Sequence, residues 1–202
     1  MSRVPRVTGI VLAAGKSSRM GHPKQLLPFR GRTILECVVD NALASSLQQV
    51  IVVLGHQAEV LEALLTAKKV TIVHNPLFEN GQSSSLKAGL QAVSAESDAV
   101  LFILGDQPLV APATIDLIIN TFALSPATPI VQPVFEGKRG NPVLFSRETF
   151  TRLATLNEDR GARTLFEEFA GQILLAQAAD LSIHFDIDTE EDYLRLLQME
   201  HL

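Results

Sequence analysis

Short apolar runs alternate along the whole chain with longer stretches in which apolar residues recur every three to four positions. The runs at 7–13, 49–54, 70–74, 99–104 and 129–134 read as buried strands, since a strand covered on both faces needs no polar alternation. The stretches 33–45, 57–68, 83–94 and 112–124 carry helical spacing, with Thr33, Ser83 and Pro112 placed where helices begin. Strands and helices in regular succession predict an α/β fold, a mostly parallel sheet with helices on both faces in three layers. After about 135 the rhythm changes. Residues 135–142 are turn chemistry, another apolar run follows at 142–146, and helices are expected near 146–153 and 160–169, so this part reads as an insertion that completes a site. The tail offers an apolar segment at 181–187 and a helix over 189–199 that opens with Glu190, Glu191 and Asp192, as the helix dipole favours.

Length and composition narrow the class. A chain of 202 residues that is 47% hydrophobic can bury one sizeable core, so a single domain over 1–202 is expected. A net charge of −5 with no Lys/Arg cluster argues against a nucleic-acid partner. No apolar run approaches the roughly 18–20 residues of a membrane helix, and without a signal peptide the chain reads as cytoplasmic. Cys37 is the only cysteine, which excludes an intrachain disulfide and a cysteine metal site, and its apolar helical setting reads as a core thiol. His22, His56, His74, His184 and His201 lack ligand spacing, and no Gly-x-Ser-x-Gly elbow is present.

The chemistry concentrates just after the first strand. Leu12, Ala13, Ala14 and Gly15 leave it through small residues, and Arg19, Gly21 and Lys24 follow along one loop. Backbone N–H groups can approach phosphate oxygens where no Cβ intrudes, and a guanidinium and an ammonium neutralise charge there. Two familiar phosphate loops are excluded by counting. A Walker A motif needs glycine where Ile10 stands, and a dinucleotide fingerprint needs Gly-x-Gly-x-x-Gly, whereas Gly15 is followed by Ser17 and Ser18.

Three further constellations point the same way. Gly105-Asp106-Gln107-Pro108 follows the strand at 99–104, so Asp106 emerges at the carboxyl edge where ligands of parallel sheets sit, either as a Mg²⁺ ligand or as a turn residue. Asp186 and Asp188 occupy alternate positions of an expected short strand, where Asp188 is either a second metal ligand or the cap of the last helix and Asp186 is a solvated residue. Gly81, Ser83 and Ser84 lead into a helix and either offer close backbone approach to a planar base, with hydroxyls and free N–H groups, or form a plain capping loop. Arg139-Gly140-Asn141-Pro142 and the turn ending at Arg163 are basic and suit a second, anionic substrate.

Taken in order, these motifs resemble the nucleotidyltransferases that activate molybdenum cofactor, and among them the molybdenum cofactor cytidylyltransferases. The resemblance runs from about residue 7 to 197. It implies a Rossmann-like nucleotidyltransferase fold with mixed edge strands, Mg²⁺ dependence and transfer of CMP from CTP to molybdopterin with release of pyrophosphate. It implies that Leu12, Ala13, Ala14 and Gly15 lie near base and ribose, that Arg19 and Lys24 meet the phosphates, and that Asp106 and Asp188 hold the metal. The Ala13–Ala14 pair resembles the cytidylyl branch, where guanylyl enzymes carry glycine at the second position. Arg139, Gly140, Asn141 and Arg163 would meet the acceptor, and a molybdenum hydroxylase would receive the product. Use of GTP, another phosphorylated acceptor, or a non-catalytic carrier of the cofactor are the alternatives.

Overall fold

The computed structural model describes residues 4–17, 20–156 and 163–199. Its main sheet has eight strands: β1 (Val7–Ala13), β4 (Gln49–Leu54), β5 (Thr71–His74), β6 (Ala99–Leu104), β7 (Ile130–Phe135), β8 (Lys138–Arg139), β9 (Val143–Ser146) and β10 (Ile173–Gln177). The strand order is β10-β7-β9-β6-β1-β4-β5, with β8 paired to β7. A separate two-stranded hairpin joins β2 (Pro28–Phe29) to β3 (Arg32–Thr33). Strand β1 runs parallel to both neighbours, with Ala13 opposite Leu54 and Leu12 opposite Leu104, so three carboxyl ends finish level. Strand β9 runs antiparallel to β6 and β7.

The helices divide between the two faces as strand alternation requires. Val7, Val11, Val50, Val52, Leu101 and Ile103 point to one side, where α1 (Ile34–Leu43), α2 (Ala58–Leu65) and α4 (Pro112–Leu124) bury their apolar stripes. Ile10, Ile51, Val53, Val100 and Phe102 point to the other side, toward α3 (Gln82–Gln91), α5 (Phe150–Ala154) and α6 (Arg163–Glu168). The result is the three-layer, mostly parallel Rossmann-like sheet expected. A third, smaller cluster joins Phe29, Ile34 and Cys37 to Ile187, Tyr193 and Leu196, docking the last helix, α7 (Glu190–Met199), beside the hairpin. Cys37 is buried there, and burial pushes its thiol above the usual range.

Local chemistry explains the element ends. The Thr33 hydroxyl accepts from Glu36 N–H while the Glu36 carboxylate accepts from Thr33 N–H, a reciprocal cap that starts α1. Pro112 occupies the first turn of α4, where its missing N–H costs no bond. Among the described residues no helix is long and apolar enough to cross a membrane.

Three expectations need correction. The segment after 135 is no insertion, because β9 and β10 are strands of the main sheet, and β9 lies between β6 and β7. The helix expected at 146–153 begins as a 3-10 turn at Arg147–Thr149, since Ser146 still pairs with Ala99 in the ladder. No strand forms at 181–187: Leu181–His184 is a 3-10 turn, and 185–188 crosses to the 105–108 loop with one backbone bond, Ile187 N–H to the Asp106 carbonyl at 3.2 Å.

Candidate active site

Beyond the level carboxyl ends of β1 and β6 lies a cavity of about 420 Å³, within the usual range for small-molecule sites. The chain leaving β1 turns sharply at Ser17, whose φ of +52° is uncommon for a side-chain-bearing residue. The turn is held in place by hydrogen bonds. The Ser17 carbonyl accepts from Met20 N–H at 3.0 Å, and its hydroxyl accepts from Lys24 N–H at 3.2 Å and donates to the buried Gln25 at 3.3 Å. This brings Lys24 back to the strand ends.

The second loop is locked to β1. Gly105 N–H donates to the Leu12 carbonyl at 3.0 Å, and a Cβ at Gly105 would lie 2.8 Å from that same oxygen. Any side chain there would push Asp106 away. Instead Lys24 Nζ lies 2.5 Å from Asp106 Oδ2 and 2.9 Å from Asp188 Oδ1. Lys24 and Asp106 keep only 13% and 18% of their side-chain surface exposed, whereas Asp188 keeps 46% and forms the rim. Burial pulls the Lys24 ammonium down, but Asp106 and then Asp188 outweigh it and hold it above the usual lysine range.

Asp186 is drawn into the same network. Its carboxylate accepts from the Gln107 amide, and burial followed by the nearby charge of Asp106 pushes it up to about 6 against that bond. The solvated role expected for it gives way to this partnership. The cap of α7 falls to Thr189 rather than Asp188. Thr189 Oγ1 accepts from Asp192 N–H at 3.2 Å, and the Asp192 carboxylate accepts from Thr189 N–H at 2.9 Å and Asp188 N–H at 3.2 Å. That leaves the Asp188 side chain to face Lys24.

Among the described residues no group of three or more His, Cys, Asp or Glu side chains is placed to hold a metal alone. A pair of carboxylates nevertheless suits Mg²⁺, which takes one or two from the protein and fills its shell with phosphate oxygens and water. The fit has a specific mark: Asp106 Oδ1 is buried and has no hydrogen-bond partner, an acceptor left for a cation.

Of the residues singled out from sequence, Leu12, Ala14, Gly15, Lys24, Gly81, Asp106 and Asp188 line this cavity. Ala13 does not, because strand alternation turns it into the opposite core. Ser83 and Ser84 do not either: they line a separate recess beside β5, where Ser84 accepts from Asn75 at 2.8 Å. Their helix shows the cavity Gln82 and Ser85 instead, three positions apart on one face. Arg139 is exposed on β8, while Gly140 packs so tightly that a Cβ would lie 2.4 Å from the Ile183 carbonyl. Asn141 N–H donates to that carbonyl at 3.0 Å, so this turn braces the segment before Asp188 and stays outside the cavity wall. Arg19 lies outside the described residues, as does the Arg163 side chain. Gly105 lines it beside Asp106, and Ser17, Gln25, Phe78 and Leu104 complete the lining without having been singled out. Only the pairing of Gln82 with Ser85 had a legible signal, helical spacing.

An open, mostly parallel sheet thus gathers a lysine and two aspartates around one cavity at its carboxyl edge. Solved nucleotidyltransferases share its fold, one from Methanothermobacter thermautotroptrophicus with a TM-score of 0.83 at 25% identity, over 97% of this chain and 98% of that one. Residues 9–174 match the MobA-like NTP transferase domain, and the chain belongs to that family. It is 31% identical over 189 residues to the molybdenum cofactor cytidylyltransferase of Escherichia coli (strain K12), covering 92% of each chain. It is 30% identical over 200 residues to the nicotine blue oxidoreductase of Paenarthrobacter nicotinovorans, covering 96% of this chain and 98% of that one. The crystal structure of Rv0371c from Mycobacterium tuberculosis H37Rv superposes with a TM-score of 0.86 at 36% identity, covering 97% of this chain and all, 100%, of that one. A complex of Rv0371c with manganese superposes at 0.82 with 34% identity, over 96% and 98% of the two chains.

Proposed function

We propose that this nucleotidyltransferase transfers CMP from CTP to molybdopterin, in a Mg²⁺-dependent reaction that releases pyrophosphate. The observation that carries the proposal is the convergence of Lys24, Asp106 and Asp188 at one edge of the cavity. The name of the Escherichia coli relative and the manganese complex of the mycobacterial one support the substrate and the divalent cation.

In this reading a terminal phosphate oxygen of the acceptor attacks the α-phosphorus of CTP in line. The new P–O bond forms as the bond to pyrophosphate breaks. The acceptor is already an anionic nucleophile, so no protein nucleophile is needed. The obstacle is the meeting of two polyanions and the charge that grows on the leaving group. Asp106 and Asp188 would hold Mg²⁺, which when bound would supply charge neutralisation and Lewis-acid polarisation. Lys24 turns from the aspartates to the triphosphate, where it and Arg19 offset charge, and the loop of Ala14 and Gly15 presents backbone N–H groups. Gln82 and Ser85 face the nucleotide from α3. Arg139, which stands outside the cavity lining, and Arg163 remain the proposed cations for the anionic acceptor, and a molybdenum hydroxylase is the proposed recipient of the product.

The test is incubation of the pure chain with molybdopterin, Mg²⁺ and each of four nucleoside triphosphates, with the product identified by mass. Release of pyrophosphate and formation of a cytosine dinucleotide with CTP alone is expected. Asp106→Ala abolishes both, and its retention of full activity would remove Asp106 from the metal site. The full-length similarity to a protein named as an oxidoreductase favours a second reading, in which the same cavity holds a substrate without nucleotidyl transfer. Absence of pyrophosphate release with every nucleotide, together with tight molybdopterin binding, would favour that reading instead.

A further inference from the structure

We propose that Gln107 is a positioning residue: its buried amide registers the segment carrying Asp188 against the loop carrying Asp106, and so sets the spacing of the cation-binding pair. The inference rests on the reading of these two aspartates as cation ligands. Three observations carry it.

First, Asp106 and Asp188 come from loops far apart in sequence and share few direct ties. The backbone provides one, Ile187 N–H to the Asp106 carbonyl at 3.2 Å. A lone bond of this kind is a pivot, about which the segment can still turn. Second, Gln107 supplies the missing constraint. Its side chain is 1% exposed and lies outside the cavity lining, and its amide N–H groups reach the Asp186 carboxylate and, at 3.5 Å, the Ile183 carbonyl. The segment is thus gripped two positions before Asp188 and again five positions before it. Gln107 is fixed at its own end as well, donating its backbone N–H to Leu104 and accepting from Val110, both at 3.3 Å. Third, a further loop holds the same segment. The Asn141 N–H also donates to the Ile183 carbonyl that Gln107 reaches, and the bare Gly140 Cα packs against it, so the 3-10 turn is held by both loops.

The chemistry admits few other side chains at 107. Glutamate would set a third carboxylate against Asp186 and Asp106, and leucine would leave Asp186 facing an apolar wall without a donor. Lysine or arginine would add a cation that competes with Lys24. The amide is neutral, donates twice, and is oriented by the carboxylate strongly enough that its own Oε1 is left buried without a partner. Partners one step removed from a metal ligand typically change metal affinity about 10- to 100-fold when lost.

The experiment titrates Mn²⁺ alone into the full chain and follows the loss of the free-ion electron paramagnetic resonance signal. It compares the parent, Asp106→Asn, Gln107→Leu, Gln107→Glu and the reversed pair Gln107→Glu with Asp186→Asn. We expect Gln107→Leu and Gln107→Glu to weaken Mn²⁺ binding about 10- to 100-fold, and the reversed pair to return to within about threefold of the parent, since it restores one carboxylate–amide bond. A role in stability alone would shift the melting temperature and leave the Mn²⁺ affinity unchanged. Should Gln107→Leu fail to fold, Gln107→Asn, one methylene short of Asp186, takes its place with the same expected loss. Parent-like affinity in the folded Gln107 variants, with Asp106→Asn weakened, overturns this inference and leaves the cation site standing. Equal binding by the parent and Asp106→Asn removes the cation site and the inference together.

Discussion

At the scale of single residues, Lys24 occupies the space between the two carboxylates that the cation is proposed to bridge. Ammonium and divalent ion therefore draw on the same two carboxylates, Lys24 through Asp106 Oδ2 and Asp188 Oδ1 while Asp106 Oδ1 stays without a partner, and the cation's entry is expected to release Lys24 toward an incoming triphosphate. A hydrogen bond to a charged group contributes about 1.5–3 kcal/mol. Lys24→Met frees both carboxylates while filling the same volume, so Mn²⁺ without nucleotide should bind roughly tenfold tighter or more. Turnover should fall by about 10²–10³ because a charged group aimed at the triphosphate is lost. Paramagnetic resonance and a pyrophosphate assay check the two halves, and unchanged or weaker Mn²⁺ binding would sink the competition.

Asp40 shows the opposite use of a carboxylate, purely within the scaffold. It sits near the end of α1 between Lys68 and Arg32, each 2.5 Å away. Burial raises its carboxyl, but the bonds from Lys68 and Arg32 outweigh burial and hold it below the usual aspartate range. A carboxylate with a lowered folded value stabilises above its unfolded value near 3.9 and loses that contribution as pH falls through the folded one. Asp40→Asn should therefore cost about 1 kcal/mol at pH 7 by stranding the largely buried Lys68. Urea unfolding across pH should show the two chains converging as pH falls below the unfolded aspartate value near 3.9. A gap that persists at low pH would place the loss in packing.

At the scale of elements, the packing of α3 on the sheet depends on one glycine. A Cβ at Gly89 would lie 2.5 Å from Ile10 Cγ2 and 3.0 Å from Val53 Cγ2, both on core strands that cannot retreat. Helix propensity favours alanine over glycine by about 1 kcal/mol, while overpacking a tight core costs about 1–3 kcal/mol. The clash is severe enough that Gly89→Ala should destabilise by about 1–2 kcal/mol net, measured by denaturant unfolding. A stabilised variant would mean that α3 shifts freely. Because Gln82 and Ser85 open this helix, the same shift moves one wall of the cavity.

Elements buried on both faces were the legible ones. Strands expected at 7–13, 49–54 and 99–104 coincide with β1, β4 and β6, since a central parallel strand is a continuous apolar run. Strand β10 was missed because it is an edge: Leu175 is 40% exposed, and the run is short and broken by Gln177. The hairpin β2–β3 has only two residues per strand, too few to show a period. Within the site, Lys24 and Asp106 could be read because each follows a clear strand. Ser83 and Ser84 were preferred over Gln82 and Ser85 because the face a helix turns to a cavity depends on its packing, which composition does not carry. The bond from Gln107 to Asp186 spans 79 positions and exists only once both loops are in place.

At the scale of the molecule, the family match ends at residue 174, yet Asp188 stands beyond it. Its position is set by α7 and the small third cluster, which is separate from the two cores flanking the sheet. Leu196 is fully buried there beside Ile187 and Phe29, and the Tyr193 hydroxyl donates to the Pro28 carbonyl at 2.8 Å. These contacts tie the helix after Asp188 to the hairpin after Lys24. Leu196→Ala removes the centre of that tie and should cost about 2–3 kcal/mol, the lower part of the range for buried leucine, since a small cluster near the surface can partly collapse. The loss should be local before it is global: amide exchange in 185–199 should quicken well ahead of β1, β4 and β6. Mn²⁺ affinity should fall with it, because the helix behind Asp188 is one support of that aspartate beside the 105–108 loop. Uniform quickening across the sheet would mean that α7 belongs to the main cooperative unit. Faster exchange in 185–199 with unchanged Mn²⁺ affinity would show that the grip on Asp188 comes from the 105–108 loop alone.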